Sequence, residues 1–436
     1  MKPVSEIELD VHDLGHDGRG VARIDGKTVF VAGALPGERA RVRLRRRHRQ
    51  YDEAEVVEIL HASPDRVVPR CPHFGICGGC TLQHLAPAAQ IAAKQRVLAE
   101  NFERIGKVAP REWLPPLTGE PWGYRRRGRL SVRHVPKKDR TLVGFREAAN
   151  ARYVADVRRC EVVDPRLGAC IGALGDLVTS MQAAADIAQI EFAAGEEGVA
   201  LVFRHLKPLG DADREALRVF ARDSGFLVYL QPGGNDSVHP LWPEQPRLSF
   251  GLPEDDVRFE FEPLDFVQVN ERINQRMVSQ VLGLLDPTDT DRVLDLFCGL
   301  GNFTLPLARR AGEVAGVEGD AGLVRRAQAN AEANGIANAG FHVANLFEDQ
   351  RDLAWARRDW DAILLDPPRA GAAEVLDYLP RRATRRVVYV SCHPASLARD
   401  AGMLVHRHGF HLAAAGVMDM FPHTAHVESV ALFVRD

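Results

Sequence analysis

Arg292-Val293-Leu294-Asp295-Leu296-Phe297-Cys298-Gly299-Leu300-Gly301-Asn302-Phe303-Thr304 reads as a buried strand that breaks into a glycine turn and then a helix. A second strand, Glu313-Val314-Ala315-Gly316-Val317, ends in Glu318, 19 residues after Gly299. In nucleotide-binding α/β folds a carboxylate at that strand tip meets ribose hydroxyls. Thr304 stands where a dinucleotide fingerprint has its third glycine, so the turn is not built to cradle a pyrophosphate. With Asp295 inside the first strand, the arrangement fits S-adenosylmethionine better. That ligand has a ribose, an adenine and a cationic sulfonium, and no phosphate.

Outward from this unit the pattern repeats. A third strand over 340–343 leads to Asn345, placed to meet an adenine. A fourth over 361–365 ends in Asp366-Pro367-Pro368-Arg369, where two prolines fix the backbone after an acid. A fifth, Val387-Val388-Tyr389-Val390-Ser391, stops at Cys392, and Pro394 suits the first turn of a following helix. Acid, double proline and cysteine should therefore share the carboxyl edge of a sheet. A thiol near a helix N-terminus is expected to have a lowered pKa; a lone cysteine there is also compatible with a small core residue. Methyltransferases acting on amino groups use a D-P-P turn followed by an aromatic, and here Arg369 follows. The cysteine suggests a different reaction. A ring carbon such as C5 of uracil is a poor nucleophile, and thiolate addition at C6 makes it a good one. A base must then remove the C5 proton. Glu428, at the start of a C-terminal strand, is the candidate, with His423 and His426 as alternatives.

Towards the N-terminus, short alternating runs at 7–11, 28–31, 40–44 and 54–59 are punctuated by glycines, the pattern of a small β-barrel. Arg39, Arg41, Arg43, Arg45, Arg46, Arg47 and Arg49 crowd the third run. A basic strand face suits phosphate contact, and a charged edge strand that blocks aggregation would look the same. Next, Cys71, Cys77 and Cys80 fall within ten residues among glycines, and Cys160 lies downstream. Four thiolates fit an iron–sulfur cluster or a structural zinc; Cys170 is a possible competitor, more in keeping with core. A helix is expected over 85–106 and mixed α+β structure over 110–263, with strands at 198–203 and 226–230, helices near 166–185 and 211–223, and an exposed loop at 231–246. Within it, Trp122, Tyr124 and Arg125, Arg126, Arg127, Arg129 and Arg133 suit stacking and phosphate contact in a folded RNA.

At 436 residues the chain has room for roughly three domains of about 150 each. The boundaries read as 1–65 for the barrel, 66–264 for the central segment and 265–436 for the donor-binding domain. A net charge of −3 carries no information about nucleic acid. Residues 1–10 show no secretory h-region and no apolar run is long enough to span a membrane, so a cytoplasmic protein is expected. Seven cysteines then point to metal or catalysis rather than disulfides.

The whole chain resembles the uracil-5 RNA methyltransferase family. The motifs are Phe266-Val267-Gln268-Val269-Asn270, 295–304, 366–369, 391–394 and His426-Val427-Glu428, with a TRAM-like barrel recognised by His16-Asp17-Gly18-Arg19-Gly20. The resemblance implies an α/β Rossmann-like methyltransferase domain, an N-terminal TRAM/OB-like barrel and a central α+β domain with a cluster. It implies Cys392 as nucleophile and Glu428 as base, and puts Gln268, Phe297, Asn302, Glu318, Asn345 and Asp366 around S-adenosylmethionine or the target base. It also implies a [4Fe-4S] cluster on Cys71, Cys77, Cys80 and Cys160. Barrel and cysteines together resemble the branch that methylates a uridine of 23S ribosomal RNA, flipped from a loop, by a monomeric enzyme. The family usually has Asn where His393 stands.

Overall fold

A computed structural model describes residues 6–380 and 382–435. Residues 1–5 of the expected barrel segment lie outside them. Five strands, β1 (Glu6–Leu14), β2 (Gly20–Ile24), β3 (Lys27–Ala32), β4 (Arg39–Arg47) and β5 (Tyr51–His61), close into a barrel in the order β1-β2-β3-β5-β4. Its core is the inward set Leu9, Val11, Ala22, Val29, Val31, Ala40, Val42 and Ala54. These positions alternate with polar ones, as a closed sheet requires. The extra strand, β2, lies in the glycine-rich stretch whose composition masks its alternation.

The arginine face of β4 differs from a free phosphate-binding surface. Arg39 and Arg41 pair with Glu8, Arg41 also with Glu58, Arg43 with Glu6 and Arg45 with Glu55. The acids come from the flanking strands β1 and β5. Among the described residues, Arg46, Arg47 and Arg49 at the hairpin end have no ion-pair partner.

The central segment carries a six-stranded sheet. Its order is His239–Trp242, Leu227–Gln231, Val199–His205, Ile187–Ala194, Arg127–Val135, Arg140–Gly144. His239–Trp242 falls in the expected loop, and the expected helices fall at Pro165–Gly168, Ile171–Ser180 and Asp211–Ser224. The aromatic–arginine segment is largely interior. Tyr124 and Arg126 are buried, and the Arg126 guanidinium covers the Phe250 ring with its Nε donating to Gln268 O at 2.8 Å. Arg129 and Arg133 are the exposed members of that group.

The C-terminal sheet has eight strands in the order Ala339–Val343, Glu313–Glu318, Arg292–Leu296, Ala362–Leu365, Arg386–Ser391, Glu428–Val434, His411–Met418, Glu112–Trp113. The first five are mutually parallel, and Glu428–Val434 runs antiparallel to both its neighbours. Apolar clusters cover both faces, which is why these strands read as continuous hydrophobic runs. Helix Pro87–Asn101, with a π-turn over Phe102–Gly106, contributes Leu98 and Phe102 to one of those clusters, although it precedes the central sheet in sequence. Gly106 allows it to touch helix Pro394–His406: a Cβ there would lie 2.4 Å from Ala398 O. None of the helices is long and apolar enough to cross a membrane among the described residues.

Glu38 joins the barrel to the chain that leaves it. Its fully buried carboxylate accepts from Leu35 N at 2.8 Å and Arg66 Nη2 at 2.8 Å. Burial would raise its pKa, but Arg66 and the N–H groups of Leu35 and Ser63 hold it below the usual range. Its stabilisation is thus present above the ordinary carboxylate pKa and lost as pH falls through the lower folded value. Glu38→Ala should destabilise the protein by about 3 kcal/mol at neutral pH. The gap from wild type in urea midpoint should shrink below about pH 4.

Candidate active site

Parallel strands deliver all their C-terminal tips to one edge, and an antiparallel neighbour delivers its N-terminal residue to the same edge. That geometry collects the site. Glu318 ends its strand, Asp366 and Cys392 directly follow theirs, and Glu428 begins its own, with Ser429 paired to Ser391. A cavity of about 470 Å³ opens there. Gln268, Phe297, Asn302, Glu318, Asn345, Asp366, Cys392 and Glu428 all line it, together with Phe266, Arg369 and the glycine turn. The eight predicted residues of this domain are therefore brought together; His423 and His426 do not line the cavity.

Each wall has a local cause. Glu318 Oε2 accepts from Gly299 N at 3.2 Å, and Oε1 accepts from Gly319 N at 2.6 Å and Asp320 N at 3.0 Å, so the carboxylate is oriented by three N–H groups. Asn302 and Asn274 exchange amide hydrogen bonds at 2.9 Å, which fixes the Asn302 side chain. Phe297 sits at φ +66°, a conformation that costs a non-glycine residue about 1–3 kcal/mol. Its ring meets Phe347 across the cavity at 5.8 Å. Beneath the turn, Asp295 is fully buried and accepts from Thr304 Oγ1 at 2.5 Å, while its Oδ1 has no partner among the described residues. Burial pushes its pKa up to about 7.

The Asp366 turn is held from behind. Asp400, with no exposed surface, accepts from Tyr389 Oη and Ala372 N, both at 2.7 Å, and Arg399 donates to Ala370 O at 2.8 Å. Next to it, His393 caps helix Pro394–His406. Ser396 N donates to its Nδ1 at 3.3 Å. An N–H can only donate, so Nδ1 is the acceptor and the ring proton sits on Nε2. Burial and the nearby Arg369, His426 and Arg399 lower its pKa, favouring that neutral form. His393 thus performs the capping an Asn performs.

The charge state of Cys392 differs from the expectation. Burial, then Glu428 and Asp366, push the thiol up to about 11, against a pull in the other direction from Arg369. Asp366 is itself driven well above the carboxylate range by burial, with Glu428 and Asp295 adding to it. Burial and the neighbouring acids decide the direction of the shift at this helix N-terminus. An acid-rich cavity with aromatic walls suits a ligand that is cationic at one end and aromatic at the other, as S-adenosylmethionine is. The donor set fits that group.

A second set of residues lies apart. Cys71, Cys77, Cys80 and Cys160 line one small cavity with Phe145 and Val157; Cys170 does not line it. Gly79 N lies 3.4 Å from Cys77 Sγ as a donor, and Gly78 N donates to Arg146 O at 2.8 Å. Among the described residues no group of three or more His, Cys, Asp or Glu converges to hold a metal ion. A zinc needs all of its ligands on one ion, whereas each cysteine of a cluster binds a different iron.

Residues 123–436 match the family model tRNA (Uracil-5-)-methyltransferase, and residues 2–57 match the TRAM domain. A Xanthomonas euvesicatoria pv. vesicatoria (strain 85-10) protein named 23S rRNA (uracil(1939)-C(5))-methyltransferase RlmD is 59% identical over 98% of this chain and 97% of its own length. Its namesake from Stenotrophomonas maltophilia (strain R551-3) is 58% identical with the same coverage. Among solved structures, the Pyrococcus abyssi tRNA (uracil-54, C5)-methyltransferase in complex with S-adenosyl-L-homocysteine aligns with a TM-score of 0.75 at 26% identity, covering 98% of this chain and 99% of that one.

The raised thiol has a direct consequence. Alkylation of Cys392 by iodoacetamide, followed by peptide mass spectrometry, should be slow at pH 7 and climb about tenfold per pH unit towards pH 10. A plateau reached below pH 8 would contradict this charge balance.

Proposed function

The chain belongs to the tRNA (uracil-5-)-methyltransferase family, and on that premise we propose that it methylates C5 of a uridine in 23S ribosomal RNA, using S-adenosylmethionine. The observation that carries the reading is the shared cavity of Cys392, Glu428 and Asp366. The relatives' names support the RNA: those at 58–59% identity are named for 23S rRNA, while the tRNA-named structure stands at 26%. The TRAM match over 2–57 supports an RNA-binding barrel, with Arg46, Arg47 and Arg49 as candidate phosphate contacts. Ribosomal RNA as substrate implies work in the cytoplasm. A monomer is proposed, with domains at 1–65, 66–264 and 265–436.

S-adenosylmethionine supplies an electrophilic methyl group. Glu318 is the residue for its ribose and Asn345 for its adenine side, with Gln268, Phe297, Asn302 and Asp366 around the donor or the uracil. Cys392 adds as thiolate to C6 of a uridine flipped from an unpaired loop, where unstacking costs least. The negative charge passes through the ring to C5, which accepts the methyl group. Glu428 then takes the C5 proton, the C5=C6 double bond re-forms and the thiolate leaves. Because the free thiol is neutral, its proton must leave before addition, and Arg369 is the cation in the cavity wall that favours the thiolate.

Cys71, Cys77, Cys80 and Cys160 are proposed as ligands of a [4Fe-4S] cluster that joins segments far apart in sequence. Their common cavity and the Gly79 N–H near Cys77 Sγ support this. Anaerobically purified protein should contain about four irons per chain, and changing Cys80 to Ser should lower that number.

The mechanism is tested with RNA carrying 5-fluorouridine, whose fluorine cannot leave as a proton. Wild type should give a protein–RNA band that survives denaturation, and Cys392→Ala should give none. On ordinary RNA, Glu428→Gln should slow turnover by about 10²–10⁴-fold and accumulate a methylated adduct. Full activity in Cys392→Ala would instead favour an amino-methyltransferase.

A further inference from the structure

The loop over 419–427, which leads into Glu428, is gripped from behind by residues distant in sequence. His423 O accepts from both Thr81 N and Leu82 N at 2.9 Å. Ala425 N donates to Thr81 Oγ1 at 3.1 Å. Gln90, 1% exposed, is the hub. Its Oε1 accepts from His423 N at 2.9 Å, and its Nε2 donates to Leu82 O at 3.0 Å and Leu85 O at 2.8 Å. Lys94, four residues on along the same helix, donates to Asp419 Oδ1 at 2.7 Å and Phe421 O at 3.0 Å. The Trp122 ring lies 4.0 Å from the His423 imidazole, and Tyr124 Oη donates to Pro422 O at 3.0 Å.

This grip is stronger than a surface loop needs. It holds His423, a non-glycine residue, at φ +66° while burying it to 3% exposure. Such a conformation persists only where its surroundings over-determine it. The loop runs on to His426, whose Nε2 lies 3.3 Å from Glu428 Oε1. Glu428 is therefore fixed from two sides. The sheet holds its backbone opposite Met418, and the gripped loop holds the imidazole beside its carboxylate. Cys392 hangs from a different strand and helix, and the bonds of Gln90, Thr81 and Lys94 do not reach it, although His426 Nδ1 lies 3.4 Å from Arg369 Nη2.

We propose that Gln90 is a positioning residue for Glu428, acting through His423 and the loop that ends at His426, so that it serves removal of the C5 proton and not formation of the thiol adduct. The inference rests on the uracil-C5 reading above. In the affected step Glu428 accepts the proton from C5, the C–H electron pair re-forms the C5=C6 bond, and the C6–S pair returns to Cys392. A displaced carboxylate leaves the uridine methylated at C5 and still bonded through C6 to Cys392. Thr81 directly follows Cys80, so the four-cysteine segment is tied to the same loop.

The test uses the full-length protein, ordinary uridine RNA and methyl-labelled S-adenosylmethionine, with Gln90→Met and the milder Thr81→Val. Gln90→Met keeps the volume and removes every amide hydrogen bond; Thr81→Val removes only the bond to Ala425. Both should trap 5-fluorouridine RNA within about twofold of the wild-type rate, which also reports that they are folded. Turnover should fall by roughly ten- to a hundred-fold in Gln90→Met and less in Thr81→Val. Label should accumulate in a denaturation-resistant protein–RNA band that wild type does not build up. Parallel losses of trapping and turnover in both variants, with no labelled band, would reduce Gln90 to a folding role and overturn the proposal. So would unchanged turnover in both. Wild type that fails to trap 5-fluorouridine RNA would instead remove the uracil-C5 reading on which the proposal stands.

Discussion

Strand direction is the constraint on which the rest of this protein depends. Five parallel strands in the C-terminal sheet must return by crossovers, so each tip ends at the same edge. One strand, Glu428–Val434, inserts antiparallel beside the Cys392 strand, so its first residue arrives where its neighbour's last one does. Nucleophile and base candidates can then be close although they belong to distant parts of the chain. A parallel insertion would carry Glu428 to the opposite edge. The strands are buried on both faces, so their register, and with it the relative height of Cys392 and Glu428, is fixed by packing.

The same edge concentrates negative charge. Burial does most of the work in raising the proton affinity of Asp366 and Cys392, with Glu428 and Asp295 adding to it at Asp366 and Glu428 and Asp366 adding to it at Cys392. Acids under that strain form a site poised for a cation. It also holds the thiol in its neutral form until the charge balance changes. A reactive thiolate in an empty cavity would be open to oxidation and alkylation, so a site that suppresses it at rest has a chemical rationale. Arg369 is the cation of this wall, and it works in the opposite direction on Cys392.

What could be read in the sequence was what rests on local pattern. The glycine turn at 298–304, the acid ending the second strand and the proline after Cys392 each depend on a few neighbouring residues, and each fell where the pattern put it. Charge and burial were not legible in the same way. The arginines of β4 read as a free basic face, because their partners Glu6, Glu8, Glu55 and Glu58 meet them only when the barrel closes. Arg126 read as an RNA contact and is interior, over Phe250. The Cys392 thiol was expected to be acidic from its helix. Burial reverses that, with Glu428 adding to it, and the approach of Glu428 depends on a strand pairing that no local window contains.

His393 and Gln90 mark two ways in which side chains away from the reacting atoms can shape this site. His393 accepts a first-turn N–H, the bond an N-cap Asn side chain would accept, so the helix beginning beside Cys392 is capped without a carboxamide. Gln90 works over a longer path. Its polar atoms are spent on the backbone of two segments, 82–85 and 423, that lie far apart in sequence. A buried amide satisfied on both sides specifies one arrangement, because any other leaves donors and acceptors unpaired at a cost of about 1–3 kcal/mol each. The four-cysteine segment, the helix behind it and the loop ahead of Glu428 are thereby locked as one unit, so the geometry of the base depends on parts of the chain that lie outside the methyltransferase domain.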